Sequence, residues 1–304
     1  MDSMNMAESL LLMEKESLKF NYALLHDSNI LKMLLPFAKE KLSKSNKSEI
    51  MEMINGEANK YKYTPTPQLR RGLLKELGDL YNIPQRKFVV KKDVADQCDR
   101  IIDTMFIDME KNNKKFRSFL QQADPDNSPL DAIAQFQMMA LIESISDQKI
   151  DAKQMREIGD SLEEFLNGLP EEQQKRIAEK LGINSITSSA MQKLIATHGT
   201  AVVFAAIVQV AGFTFYTTLT SVVAGIFGLI GITLPFVFYT TMTSLVAVIS
   251  NPLLFVPVML VGGGFLLQRQ NTKMKKTIAP VVLMQILLGS ETDGEPDWGE
   301  ILNG

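Results

Sequence analysis

The fold of this chain is decided by one uncharged stretch, residues 194–268, which reads LIATHGT AVVFAAIVQV AGFTFYTTLT SVVAGIFGLI GITLPFVFYT TMTSLVAVIS NPLLFVPVML VGGGFLLQ. Its 75 residues include no Asp, Glu, Lys or Arg. The chain's average of 22% charged residues would place about 16 charges in a window of that length. Lys193 and Arg269 stand immediately before and after it. Since about 20 apolar residues cross the hydrocarbon core of a bilayer, the stretch is long enough for two or three crossings.

Glycine and proline residues divide the uncharged stretch into two arms. Residues 199–227 form the first arm, residues 228–235 are the predicted turn, and residues 236–267 form the second arm, with breaks at Asn251-Pro252 and Pro257. We predict that the arms pack as a transmembrane-type helical hairpin, since small residues let helices approach closely in a membrane. The residues expected in the hairpin packing and turn are Ala224, Gly228, Gly231 and Pro235.

Hydroxyl side chains cluster in both arms of the predicted hairpin. Four of them follow i, i+3, i+4, i+7 spacing and so share one helical face: Thr214, Thr217, Thr218 and Ser221. Four more cluster in the second arm: Thr240, Thr241, Thr243 and Ser244. A hydroxyl in hydrocarbon needs a hydrogen-bond partner. These side chains either face a pore or a neighbouring helix, or bond back to carbonyl oxygens of their own helix.

Basic residues flank the uncharged stretch on both sides. The flanking basic anchors are Lys193, Arg269, Lys273, Lys275 and Lys276. By the positive-inside rule, both flanks are cytoplasmic and the number of crossings is even, most simply two. Residues 269–290 contain an apolar run too short to span, and are predicted to be a basic, amphipathic segment at the membrane interface or over the bundle. Residues 291–304 read as an acidic, flexible tail in which Trp298, Ile301 and Leu302 are candidate docking residues.

Residues 1–193 carry 28 of the 32 basic and 30 of the 35 acidic residues. Their apolar residues recur at helical spacing, which predicts a soluble helical bundle with a sub-boundary near 123–128. Residues 4–44 read as helix with a break at 27–29, and residues 92–122 as one amphipathic helix. Ser128, Pro129 and Asp131 form a helix-starting signal, and Gly182 is a predicted C-cap.

The sequence shows no arrangement of residues that supports catalysis. The only cysteine, Cys98, lies on an apolar helical stripe and is expected to be a buried, inert thiol. No His, Cys and carboxylate cluster has metal-ligand spacing, and no phosphate-binding loop is present. The acidic pairs Glu163-Glu164 and Glu171-Glu172 read as solvated, since adjacent residues do not share a helical face. We therefore predict no enzyme activity, no cofactor, no metal and no small-molecule substrate.

The charge distribution and the N-terminal residues limit which partners the protein can have and how it can reach a membrane. The net charge of −3 divides as −2 in residues 1–193 and −1 in residues 269–304, without a strongly basic region, which argues against nucleic acid. The N-terminal residues lack a basic region followed by an apolar run, so we expect no secretory signal. The internal uncharged stretch would then bring the protein to a membrane.

The layout of the chain resembles that of the YaaW-like family of bacterial proteins. The resemblance rests on stretches spread over about two thirds of the chain, none of them a sharp motif: Gly72–Leu77, Met109–Lys111 with Phe116–Leu120, Leu162–Gly182, Thr197–Gly199 and Lys276–Leu283. It implies a bacterial origin and a helical front half followed by an apolar rear. This chain departs from the family in having a longer and more hydrophobic rear segment, and the resemblance transfers no activity and no catalytic residues.

The sequence as a whole predicts an all-α fold, with a soluble helical bundle followed by the hydrophobic hairpin. Two functions fit it equally. One is a pore-forming or membrane-perturbing effector, cytoplasmic until a trigger inserts the hairpin into the inner membrane. The other is a constitutive inner-membrane protein with both termini cytoplasmic, whose bundle recruits a protein partner or self-associates. In both, the lipid bilayer is a partner.

Overall fold

A computed structural model describes residues 1–27, 56–146, 149–216, 218–220, 222, 271–291 and 294–302. All regular secondary structure in these residues is helical, which confirms the all-α prediction. The α-helices are α1 (Ser3–Leu12), α2 (Lys15–His26), α3 (Thr66–Leu80), α4 (Lys91–Asn112), α5 (Lys114–Leu120), α6 (Pro129–Ser146), α7 (Ala152–Asn167), α8 (Glu171–Leu181), α9 (Ser188–His198), α10 (Thr200–Ala211) and α11 (Asn271–Leu287). Short 3₁₀ helices span Gly212–Phe215, Leu288–Glu291 and Trp298–Glu300.

The chain divides into two compact units. Unit 1 combines residues 1–136 with residues 262–304, and unit 2 comprises residues 137–261. The predicted division into 1–193, 194–268, 269–290 and 291–304 followed the distribution of charge, whereas the units follow packing. Helices α7 to α9 therefore belong with the start of the uncharged stretch, and the C-terminal residues belong with the N-terminal helices.

Helix α11 lies in the interior of unit 1, where it packs against α1, α2 and α3. Its apolar residues occur on all sides of the helix and are buried: Ile278, Ala279, Val281, Val282, Leu283, Met284, Ile286 and Leu287. A helix that is apolar all round is stable in water only when other helices cover it. This segment, predicted at an interface or over the bundle, is thus part of a protein core. Of the candidate docking residues of the tail, Trp298 and Ile301 are buried as well, and Leu302 is half-buried.

Two predicted long helices are interrupted in the structure. The predicted helix over 4–44 is broken at Met13 and Glu14, which have extended backbone between α1 and α2. Its residues beyond 27 lie outside the described part of the chain. The predicted single helix over 92–122 is wrong, because Asn113 adopts an extended conformation and its side chain accepts a hydrogen bond from the Phe116 amide (3.1 Å). This N-cap starts α5 as a separate helix.

The predicted helix ends agree with the structure where the signal is local. Ser128 Oγ accepts a hydrogen bond from the Asp131 amide (3.1 Å) and donates one to the Asp131 carboxylate (2.7 Å) at the start of α6. The N-terminal amine of Met1 also contacts that carboxylate at 3.2 Å, which ties the chain start to unit 1. Gly182 takes the left-handed conformation (φ 67°) after α8, as a C-cap requires.

Candidate functional site

The described beginning of the uncharged stretch is packed against the amphipathic helices of unit 2. Helix α10 contacts α8 and α9. One face of α10 is fully covered, and its residues are Val203, Phe204, Ile207 and Val208. Val202, in contrast, is exposed. The first apolar arm is therefore partly sheltered by charged, water-facing helices.

Aromatic side chains extend this packing beyond α10. The Phe215 ring lies between Phe204 of α10 (5.8 Å between centroids) and Phe165 of α7 (5.1 Å). Phe215 is completely buried. Tilted and edge-to-face ring pairs at these distances stabilise a core beyond the area they bury. Helix α7 thus contributes directly to covering the uncharged stretch.

Glycines interrupt the first apolar arm in the structure. Gly199 (φ 84°) separates α9 from α10, and Gly212 (φ 60°) separates α10 from the 3₁₀ helix that follows. Both conformations favour glycine because their positive φ strains the backbone of any residue that has a Cβ. Within the described residues no single helix is both long and apolar enough to cross a membrane, whereas α9 joined to Thr200–Phe215 meets that criterion as a pair bent by 120°.

The predicted hydroxyl face is described only in part. Thr214 donates a hydrogen bond to the Ala211 carbonyl oxygen (2.6 Å), so this hydroxyl bonds back to its own segment. Thr218 is half-buried. The structure does not describe the other predicted residues of the hydroxyl face, the hairpin packing, the turn and the flank: Thr217, Ser221, Ala224, Gly228, Gly231, Pro235, Thr240, Thr241, Thr243, Ser244 and Arg269. The hairpin and its pore-lining face remain predictions.

Two acidic residues of α7 hold the start of α9. Glu163 accepts a hydrogen bond from the Ser188 amide (2.8 Å), and Asp160 accepts one from the Ser188 hydroxyl (2.5 Å). The first amides of a helix have no partner within the helix, and its N-terminus attracts negative charge. The expectation of a fully solvated pair at Glu163-Glu164 therefore fails for Glu163, which is half-buried, while Glu164 is exposed. The acidic residues themselves gave no sign of this contact, because Ser188 lies 25 residues further along the chain.

The basic flanks differ on the two sides of the stretch. Lys193 is exposed in the middle of α9. Lys275 lies 3.9 Å from the Glu76 carboxylate, and Lys276 forms an ion pair with Asp108 (2.6 Å). The Lys276 ammonium also lies 5.2 Å from the Tyr81 ring centre. Lys275 and Lys276 are therefore paired with carboxylates within unit 1, and these partners could not be predicted from the sequence around the lysines.

The only cysteine of the chain, Cys98, belongs to unit 1. Burial raises the pKa of the Cys98 thiol to about 12, with the Asp99 carboxylate adding to the shift. A thiol in that state is not a nucleophile at neutral pH. Among the described residues, no three His, Cys, Asp or Glu side chains are arranged to hold a metal ion.

No protein-family model, curated protein or solved structure matches the chain. The resemblance to the YaaW-like family stays a prediction. The features of the molecule that bear on its function are thus the packing of α7 to α10 and the uncharged stretch.

Proposed function

We propose that this protein is a membrane-active protein that shelters an uncharged hairpin in unit 2 and inserts it into a lipid bilayer. The observation that carries the proposal is the packing of α10. A helix from a 75-residue segment without charges lies with its apolar face on α8 and α9. A constitutive membrane span needs no such cover, since lipid surrounds it.

The energetics favour an exchange between protein and lipid. Burial of one Val, Ile or Phe side chain stabilises a fold by about 1.5–3 kcal/mol, and hydrocarbon removes the same side chain from water equally well. The stretch loses little apolar stabilisation on leaving unit 2 for a bilayer. Because no charged side chain lies between residues 194 and 268, insertion carries no penalty for a buried charge.

A second function is favoured by the basic residues on both sides of the stretch. A constitutive membrane protein with a cytoplasmic bundle would have such flanks by the positive-inside rule. In that protein the bundle would bind a protein partner. The ion pairs of Lys275 and Lys276 within unit 1 weigh against this function, because they leave two of the flank's ammonium groups bound to carboxylates.

The test is release of a trapped dye from lipid vesicles by the purified full chain. We expect the unchanged chain to release dye. Ala224→Asp should reduce insertion about 100-fold, because an acid at the centre of a spanning helix costs about 2.5–3.5 kcal/mol. Ala152→Asp is the matched control, since it adds the same charge at an exposed residue outside the stretch.

The outcomes separate the two functions. Dye release that Ala224→Asp abolishes and Ala152→Asp preserves supports the inserting effector. Stable incorporation without dye release supports the constitutive membrane protein. If the chain neither incorporates nor releases dye, or if both variants behave alike, the membrane function is wrong.

A further inference from the structure

A basic and apolar loop in unit 1 precedes α4. This loop and the first two residues of α4 form residues 84–92, here called the basic loop, with the sequence PQRKFVVKK. Its four cations, Arg86, Lys87, Lys91 and Lys92, are exposed, and no acidic residue lies among them. Val89 and Val90 lie between the cations and are 57% and 53% exposed. The basic loop therefore presents two neighbouring aliphatic side chains to water within a frame of positive charge.

The conformation of the basic loop is fixed by one side chain. The Asp93 carboxylate accepts hydrogen bonds from the Val89 amide (2.8 Å) and the Val90 amide (2.9 Å). These backbone contacts, first that of Val90, together with the charge of Arg86 lower the pKa of Asp93. The two valines are thus held outward by backbone contacts, and the loop does not need to be ordered when it meets a partner.

The cations of the basic loop are available to a partner. In the part of the chain that the structure describes, neither Lys87 nor Lys92 forms an ion pair. Lys91 lies over the Trp298 ring, with 5.0 Å between the ammonium and the ring centre, and its side chain is still exposed. Asp93 is the acidic residue nearest to these cations in the sequence, and its carboxylate is hydrogen-bonded to the Val89 and Val90 amides.

We infer that the basic loop docks the protein on the anionic surface of a lipid bilayer. The cations match the phosphate groups of anionic headgroups, and Val89 and Val90 match the apolar region just below them. Nucleic acid would use the cations but offers nothing to two aliphatic side chains, because its recognition relies on phosphate contacts and ring stacking. The inference deepens the proposed function, on which it rests, by naming the lipid class that the chain meets first.

The experiment measures sedimentation of the full chain with phosphatidylcholine vesicles, with and without phosphatidylglycerol. We expect binding only when phosphatidylglycerol is present, and weaker binding in salt. Removing a cation should lower the partition coefficient about fivefold, so that Arg86→Gln with Lys87→Gln lowers it more than tenfold. Val89→Ser with Val90→Ser should lower it as well, although the net charge is unchanged.

Two matched controls use exposed residues of the same unit. Ile107 is 60% exposed on α4 beside Asp103 and Glu110, so Ile107→Ser removes an apolar side chain from an acidic surrounding. Lys111→Gln with Lys114→Gln removes two cations that have no exposed valines between them. We expect both controls to change binding by about twofold or less, since salt screens distant charges. Helical circular dichroism verifies that every variant folds.

Three outcomes would overturn the docking inference: equal binding to neutral vesicles, loop variants that bind like the unchanged chain, and charge variants that fail while the valine variant binds normally. The last would show a general polyanion site. Dye release in the same samples tests insertion separately. Binding without dye release leaves the docking inference standing and overturns insertion. If the loop variants still release dye at the full rate, insertion stands and the docking inference is overturned.

Discussion

Arg70 places a positive charge inside unit 1, where it joins three parts of the chain. Its guanidinium donates hydrogen bonds to the carbonyl oxygens of Leu10 (3.1 Å) and Met13 (3.2 Å), and it pairs with the Glu300 carboxylate. Burial lowers the pKa of Arg70, while the Asp297 carboxylate opposes that shift. The residue remains charged at neutral pH. It therefore stabilises the negative end of α1 and holds the C-terminal residues against the unit.

Replacement of Arg70 by Met should destabilise unit 1 by about 2–4 kcal/mol, because it leaves buried oxygen atoms without a donor. Labelling of Cys98 measures this change, since the only thiol of the chain is fully buried and has a pKa of about 12 until unit 1 opens. Arg70→Met should label in less urea than the unchanged chain. Arg71→Met is the control, with an expected change below about 0.5 kcal/mol. Equal labelling of both variants would contradict the role of Arg70.

At the scale of elements, the approach of α7 and α9 depends on Gly159. A Cβ atom there would lie 2.7 Å from Ser188 Oγ and 2.9 Å from the Ser188 carbonyl oxygen. In an open helix, Gly→Ala stabilises by about 0.5–1 kcal/mol. We expect the opposite sign for Gly159→Ala, with a cost of about 1–3 kcal/mol, because the backbone of α9 must move away. Gly168→Ala is the control, since its nearest atoms lie at 3.4 Å.

Urea unfolding followed by helical circular dichroism measures the difference between these two glycine variants. A lower midpoint for Gly159→Ala, beside an unchanged or higher midpoint for Gly168→Ala, would support close packing of α7 on α9. A stabilised Gly159→Ala variant would show that the helices lie further apart than the structure has them.

Helix ends could be predicted from the sequence where the signal is local. Ser128 and Gly182 act through residues at most four positions away, and the structure has both in their predicted roles. The break at Asn113 was missed because Asn interrupts a helix only when its side chain is used as a cap. The break at Gly212 was missed because glycine is common in apolar spans and often stays helical there.

The burial of α11 in the core of unit 1 could not be predicted from its own sequence. An apolar run of moderate length is equally typical of an interfacial helix and of a core helix. Only the covering helices α1, α2 and α3 decide between these places, and they lie more than 180 residues earlier in the chain. The acidic partners of Lys275 and Lys276 are also more than 160 residues away in the sequence, so they could not be predicted either. The candidate site could thus be located in the sequence as the uncharged stretch, but its contacts could not.

At the scale of the whole molecule, retention of the uncharged stretch in unit 2 should depend on the start of α9. Glu163→Ala removes the acceptor of the Ser188 amide, and loss of such a cap costs about 1 kcal/mol. The population with α9 released should rise about fivefold, and dye release from vesicles should accelerate by a similar factor. Glu164→Ala is the matched control, because it removes the same charge and side chain at the adjacent, exposed position.

The double variant Glu163→Ala with Ala224→Asp separates loosening of unit 2 from insertion of the stretch. If release of α9 acts through the uncharged stretch, the added Asp should abolish the accelerated dye release. If the double variant still releases dye rapidly, the active segment lies elsewhere in the chain. If Glu163→Ala and Glu164→Ala release dye at the same rate, the contact between α7 and α9 does not restrain the stretch. We expect dye release to be fastest for Glu163→Ala. It should be equal for Glu164→Ala and the unchanged chain, and slowest for the double variant. This order follows only if α7 to α9 guard an inserting segment.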